Sequence, residues 1–199
     1  MADIARLRIE LDEVKPLVWR CVEVPIDIHL DDLHVVIQIV MGWENDHLYE
    51  FRRGRTAYGV PDPEWGLEGS GSLSAEETRL QDLLAGRGKV FTYVYDFGDD
   101  WRHTIRVEAI TKAVPDMSYP RFLEGEGRCP PEDVGGAWGY AAFLAAITDP
   151  THERHAELLE WSGPFDPTDI GETAIRRELG KLTKPPRRKK KPTAGRTTP

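Results

Sequence analysis

The sequence predicts an α+β fold, a single domain in which a mixed or mostly antiparallel sheet packs with three to five helices. Three observations carry this. Residues 5–11 and 89–110 alternate apolar and polar side chains with the period of half-buried strands. Leu33, Val36, Ile37 and Val40 fall at i, i+3, i+4 and i+7, the stripe of an amphipathic helix. Without its basic C-terminal arm the 199-residue chain keeps about 180 residues, the size of one domain with its own core.

In chain order, Ala5, Leu7, Ile9 and Leu11 form the apolar side of a first strand. After Pro16, Val18, Val22 and Val24 mark a second. Asp31 and Asp32 suit the start of a helix that Gly42 ends as a C-cap. His47 to Phe51 reads as a short strand, and residues 52–73, rich in Gly and Pro, read as a long loop. Ser74 and Glu77 form an S-x-x-E capping box for a short helix through Leu80, Leu83 and Leu84.

Residues 89–110 predict a hairpin with Gly98-Asp99 as a two-residue type II′ turn. That turn pairs Asp96 with Trp101 and Val94 with His103, and it makes Asp96 and His103 diagonal neighbours on one face. Phe91, Tyr93, Tyr95 and Phe97 share the other face, where core packing explains them better than base stacking. Residues 115–136 read as irregular. Tyr140 to Ile147, Pro150 to Trp161, and Asp169 through Ile175 and Leu179 read as three helices.

With 26 basic and 34 acidic residues the net charge is −8. Residues 184–199 hold seven of the basic residues and no acid, so residues 1–183 carry 19 − 34 = −15. This divides the chain into an acidic domain, 1–183, and a disordered basic tail, 184–199. An acidic body is a poor broad surface for phosphate. Any nucleic-acid contact is expected from the tail, through Arg187, Arg188, Lys189, Lys190 and Lys191. No apolar run reaches the roughly 20 residues of a membrane span, and none resembles a signal peptide, so a cytoplasmic protein with no membrane partner is expected. Cys21 and Cys129 are the only cysteines, too few for a cysteine-built zinc site or a disulfide framework.

Tyr95 to His103 (YDFGDDWRH) and Cys129 to Gly136 (CPPEDVGG) resemble the plasmid pRiA4b ORF-3-like family. DLHVVIQIVMGW with HLYEF, RLQDLL and EWSGPFDP agree, and the likeness spans about residues 3–180. His34, Trp43 and His47 belong to the matching positions. The resemblance implies an α+β domain of unestablished activity and an association with mobile genetic elements. A resolvase-like activity conflicts with the residues. The first serine is Ser70, so no N-terminal serine nucleophile exists. The H-x-x-R element His103 to Arg106 splits across the two faces of a strand.

Asp96, Asp99, Trp101, His103, Cys129, Glu132 and Asp133 form the candidate cluster. Asp96, Asp99, His103 and Glu132 are the candidate ligands of a divalent metal, and Asp96, His103 and Glu132 the candidate catalytic groups of a hydrolase. The same residues also suit a buried polar network or a ligand pocket. His34 and His47 read as satisfied boundary histidines, and His152 and His155 as part of a solvated helix face. The function expected is that of an accessory or binding protein of mobile elements, touching nucleic acid through its tail. The alternative is a metal-dependent hydrolase.

Overall fold

The computed structural model describes residues 2–60, 72–86 and 88–183. The basic tail from Lys184 and residues 61–71 of the predicted loop lie outside these. Eight strands form one sheet: β1 (Asp3–Leu11), β2 (Val18–Pro25), β3 (Tyr49–Arg53), β4 (Thr56–Gly59), β5 (Leu73–Ser74), β6 (Val90–Tyr95), β7 (Trp101–Lys112) and β8 (Arg121–Glu126). Their order is β5-β4-β3-β6-β7-β1-β2-β8. The β4/β5 pair is parallel and every other neighbouring pair is antiparallel. The helices of the described residues are α1 (Leu30–Met41), α2 (Leu80–Leu83), α3 (Gly136–Thr148), α4 (His155–Ser162) and α5 (Glu172–Leu182). A mixed sheet with five helices among the described residues is the architecture the alternation and the helical stripe predict.

The register explains the core. Leu7 lies opposite Val22 and Val107, Ile9 and Phe91 opposite Ile105, and Tyr93 opposite both Phe51 and His103, so these side chains share one face. All of them are buried. Helix α1 brings Leu30, Leu33, Val36, Ile37 and Val40 to the same core. It ends at Gly42, whose φ of 83° lets its N–H reach the Gln38 carbonyl at 2.8 Å. The buried Arg20 secures that end, donating Nε–H to the Val40 carbonyl at 2.7 Å and Nη1–H to the Trp19 and Glu126 carbonyls. A cation there meets the negative end of the helix dipole. On the other face, Arg6 and Arg121 hold Glu23 at 2.9 and 2.7 Å. Burial alone would raise the Glu23 pKa, but the two guanidinium groups outweigh it and the net shift is downward.

Four local expectations are corrected. The hairpin pairs Tyr95 with Trp101 and Tyr93 with His103, one residue away from the predicted register, and turns through five residues, 96–100. Asp96 and Asp100 both adopt φ 55°, and the Asp100 N–H bonds the Asp96 carbonyl at 2.7 Å. Aspartate tolerates that left-handed conformation better than most residues. The slip puts Trp101, His103 and Ile105 on the Phe91/Tyr93/Tyr95 face, so the aromatic surfaces of both strands are buried together. Phe97 leaves that face and is half exposed at the tip.

Residues 121–126, within the stretch read as irregular, form β8 on the edge of the sheet. There Arg176 from α5 donates to the Phe122 and Leu123 carbonyls at 2.8 and 3.3 Å. Part of the predicted loop, Thr56–Gly59, pairs with β3. Ser74 Oγ does accept the Glu77 N–H, but helix α2 begins six residues after Ser74, with Asp82 accepting the Arg79 N–H. No helix of the described residues is long and apolar enough to cross a membrane.

Candidate functional site

The hairpin tip and the Cys129–Gly136 loop meet. At the tip, Asp96 Oδ1 accepts the Gly98 N–H at 2.9 Å, and the Asp96 N–H bonds the Leu48 carbonyl ahead of β3. Asp99 Oδ2 accepts the Gly135 N–H at 3.1 Å. Gly136 has φ 68°, and a Cβ there would come within 2.6 Å of the Asp99 carbonyl oxygen, so this approach needs glycine. Glu132 Oε1 accepts the Tyr95 O–H at 2.5 Å and Oε2 accepts the Glu44 N–H at 3.2 Å. The Tyr95 oxygen in turn accepts the Asp46 N–H, and Trp43 Nε1–H bonds the Pro130 carbonyl. Burial, followed by Glu132, raises the Tyr95 pKa, so its phenol stays protonated and remains a donor.

These ties fix the segment 43–47 between the two loops. His47 Nε2 comes to 3.3 Å from Asp133 Oδ1 and 3.8 Å from Asp96 Oδ2. Ligand atoms of His47, Asp96 and Asp133 lie within 4.8 Å of one another, and so do those of Glu44, Asp46 and Glu132. One imidazole with two carboxylates is a donor set that zinc and manganese accept. His47, Asp133 and the three carboxylates of the second group line a cleft of about 890 Å³ whose other wall includes Trp161, Phe165 and Ile175.

Of the remaining predicted residues, Cys129 lies in the wall of the cleft, whereas Asp99, Trp101 and His103 do not line it. Asp99 caps Gly135. His103 is fully buried, 5.4 Å from the Trp43 ring and 5.2 Å from Tyr93, and neither ring nitrogen has a side-chain hydrogen-bond partner among the described residues. Burial depresses its pKa to about 4, so it is neutral. The one-residue register difference therefore separates His103 from the tip carboxylates, and the expected Asp96/His103 pair is not formed. Trp101 is buried, and its indole N–H likewise lacks a partner among these residues. Cys129 is buried with its thiol pushed up to about 11, 3.5 Å from Arg20 Nη2, which makes it a poor nucleophile.

His34 is a satisfied core histidine. It stacks on Tyr49 at 3.6 Å, its Nδ1 meets the Tyr93 hydroxyl at 2.7 Å, and its Nε2 meets Asn45 Oδ1. Gln38 donates to the same hydroxyl, so the network is consistent when Tyr93 donates to Nδ1 and Nε2–H donates to Asn45. Burial holds the His34 pKa near 4. His152 and His155 bond the Arg154 N–H and the Ala146 carbonyl separately. The residue underrated in the sequence is His47. Its only local signal is a polar ring just before the β3 strand, because the two loops that complete its surroundings are 49 and 86 residues away.

The fold and the cleft define an α+β protein of one mixed sheet, with histidine and carboxylates gathered at the rim of a pocket. The chain belongs to the plasmid pRiA4b ORF-3-like protein family, whose model matches residues 3–173. It is 49% identical over 167 residues to an uncharacterized protein of Sinorhizobium fredii, y4hQ, covering 83% of this chain and 84% of the relative. It is also similar to the crystal structure of a protein of unknown function, MM3350 from Methanosarcina mazei Go1. That match has a TM-score of 0.79 and 30% identity, and it covers 87% of this chain and 97% of the other.

Proposed function

We propose that the cleft holds a divalent metal ion on His47, Asp96 and Asp133 and serves hydrolytic chemistry on a small ligand. The observation that carries this reading is the convergence of one imidazole and two carboxylates, from three segments distant in sequence, beside a cleft of about 890 Å³. An ion there would lower the pKa of a bound water. Glu132, oriented by Tyr95 and the Glu44 N–H on the same cleft, is the carboxylate this reading assigns to take the proton. Of the expected catalytic residues, Asp96 and Glu132 keep a role in this proposal and His103 does not. The plasmid in the family's name supports an association with mobile elements, and the basic tail supports nucleic-acid contact as a separate activity.

The test is calorimetric titration of metal-stripped protein with Mn²⁺ and Zn²⁺, followed by assays on chromogenic esters and phosphodiesters. One equivalent should bind, and His47→Ala and Asp96→Asn should each weaken binding by about tenfold or more with an unchanged circular dichroism spectrum. Cation uptake unaffected by both substitutions would sink the site. Binding without turnover of any ester would sink the hydrolytic half alone.

A further inference from the structure

Helix α5 ends beside a second, smaller groove. Leu182 is one wall of this pocket of about 310 Å³, between α1 and the segment that follows β2. Ile28, Val35 and Pro120 give it an apolar lining, and Asp27 and Asp32 stand exposed at its edge. The Asp32 carboxylate has no hydrogen-bond or ion-pair partner among the described residues, while Asp27 meets Arg79 at 3.7 Å. Thr183 follows Leu182, and the chain then continues as Lys184-Pro185-Pro186-Arg187-Arg188-Lys189-Lys190-Lys191.

We propose that this segment of the chain, Lys184–Lys191, docks in that groove, its two prolines on the apolar lining and its cations on Asp27 and Asp32. Continuity is the first argument. The groove is contiguous with the last turn of α5, so the segment begins two residues from a residue of its wall, and five extended residues span about 16 Å, a reach that would let Arg187 meet the groove's acidic edge. Tethering this short gives a local concentration on the order of millimolar, so weak contacts suffice. Charge is the second argument, because an arm of +7 faces a body of −15. Composition is the third. A Pro-Pro pair has little backbone freedom to lose on ordering and presents apolar rings, whereas a Gly/Ser arm would offer neither. In the docked state the arm's cations are withheld from phosphate, and a nucleic acid must compete with the protein's own carboxylates for them.

Zero-length carbodiimide coupling of the full chain at low ionic strength, read by mass spectrometry, tests this. Lysines of the arm should link to Asp27 or Asp32 within one chain, and the links should fade at about 0.5 M salt, where screening is strong. Links instead to Glu178 or Glu132 of the larger cleft, links between chains, or no arm links at all would overturn it. As a second measurement, the first tryptic cut within Arg187–Lys190 should be several-fold faster in Asp27→Asn/Asp32→Asn than in the wild type at the same salt. Equal rates would also overturn it.

Discussion

His47 and His103 sit at opposite ends of one aromatic stack. His47 lies 5.8 Å from the Tyr95 ring, Tyr95 lies 5.1 Å from Trp43, and Trp43 lies 5.4 Å from His103. At the His103 end there is no water-facing surface, and the ring has no side-chain hydrogen-bond partner among the described residues, only the nearby backbone of Tyr93 and Trp101. At the His47 end the ring is part exposed, with two carboxylates within 3.8 Å. The same side chain thus belongs to the core at one end and to a candidate ligand set at the other. Burial and partners make that difference, and neither is a property of the residue.

The largest expected effect that would break this comparison is at the buried end. His103→Ala should cost about 3 kcal/mol in denaturant unfolding, since it opens a cavity among Trp43, Tyr93 and Trp101, yet it should leave cation uptake unchanged. His103→Phe should be close to neutral, because it removes two buried nitrogens that lack well-formed hydrogen bonds while keeping a ring. A loss of metal binding in either variant would mean that the two ends are not separate.

Acid comes next. His34 and His103 have folded pKa values near 4 against an ordinary 6.5, so the unfolded chain binds protons that the folded chain refuses. Their contribution to stability is therefore present at neutral pH and is lost as the pH falls from 6.5 toward 4. Each histidine should account for about 2 kcal/mol between pH 7 and pH 5, and His103→Phe should flatten the profile by about half. A profile unchanged by that substitution would remove His103 as the cause.

Gly136→Ala should cost roughly 2 kcal/mol through the forced φ and the collision with the Asp99 carbonyl, and should loosen the rim enough to weaken cation uptake. The smallest effect on stability is expected from His47→Ala, under about 0.5 kcal/mol, in the variant that should lose the most metal affinity. A large stability loss there would make His47 a second structural histidine and dissolve the comparison.

Much of this was legible in the sequence, because local periodicity reports local structure. Alternation marked β1, β2, β6 and β7, and Gly42 marked the end of α1. The hairpin's register differs from the sequence expectation because Gly98 suggests a two-residue turn, whereas Asp96 and Asp100 take the positive φ values of a five-residue turn. A cue was available: only the observed register puts Tyr93 and Tyr95 on one face with Trp101 and Ile105. Strand β8 was hidden by Pro120, Gly125 and Gly127, which read as loop but are tolerable on an edge. The meeting of His47, Asp96 and Asp133 has no local signature, since it depends on three loop ends brought together by tertiary packing.

The Arg176 guanidinium on β8 bears on how the molecule avoids its own kind. A sheet edge exposes carbonyls that another strand can copy, the first step toward open-ended stacking. At this edge the carbonyls of Phe122 and Leu123 are already occupied by Arg176, which reaches down from α5 with its ring-facing side over Phe122. At the far edge of the sheet from β5, these two carbonyls are therefore engaged by the protein's own helix and are not free for a neighbouring strand, the kind of covering that limits edge-to-edge pairing.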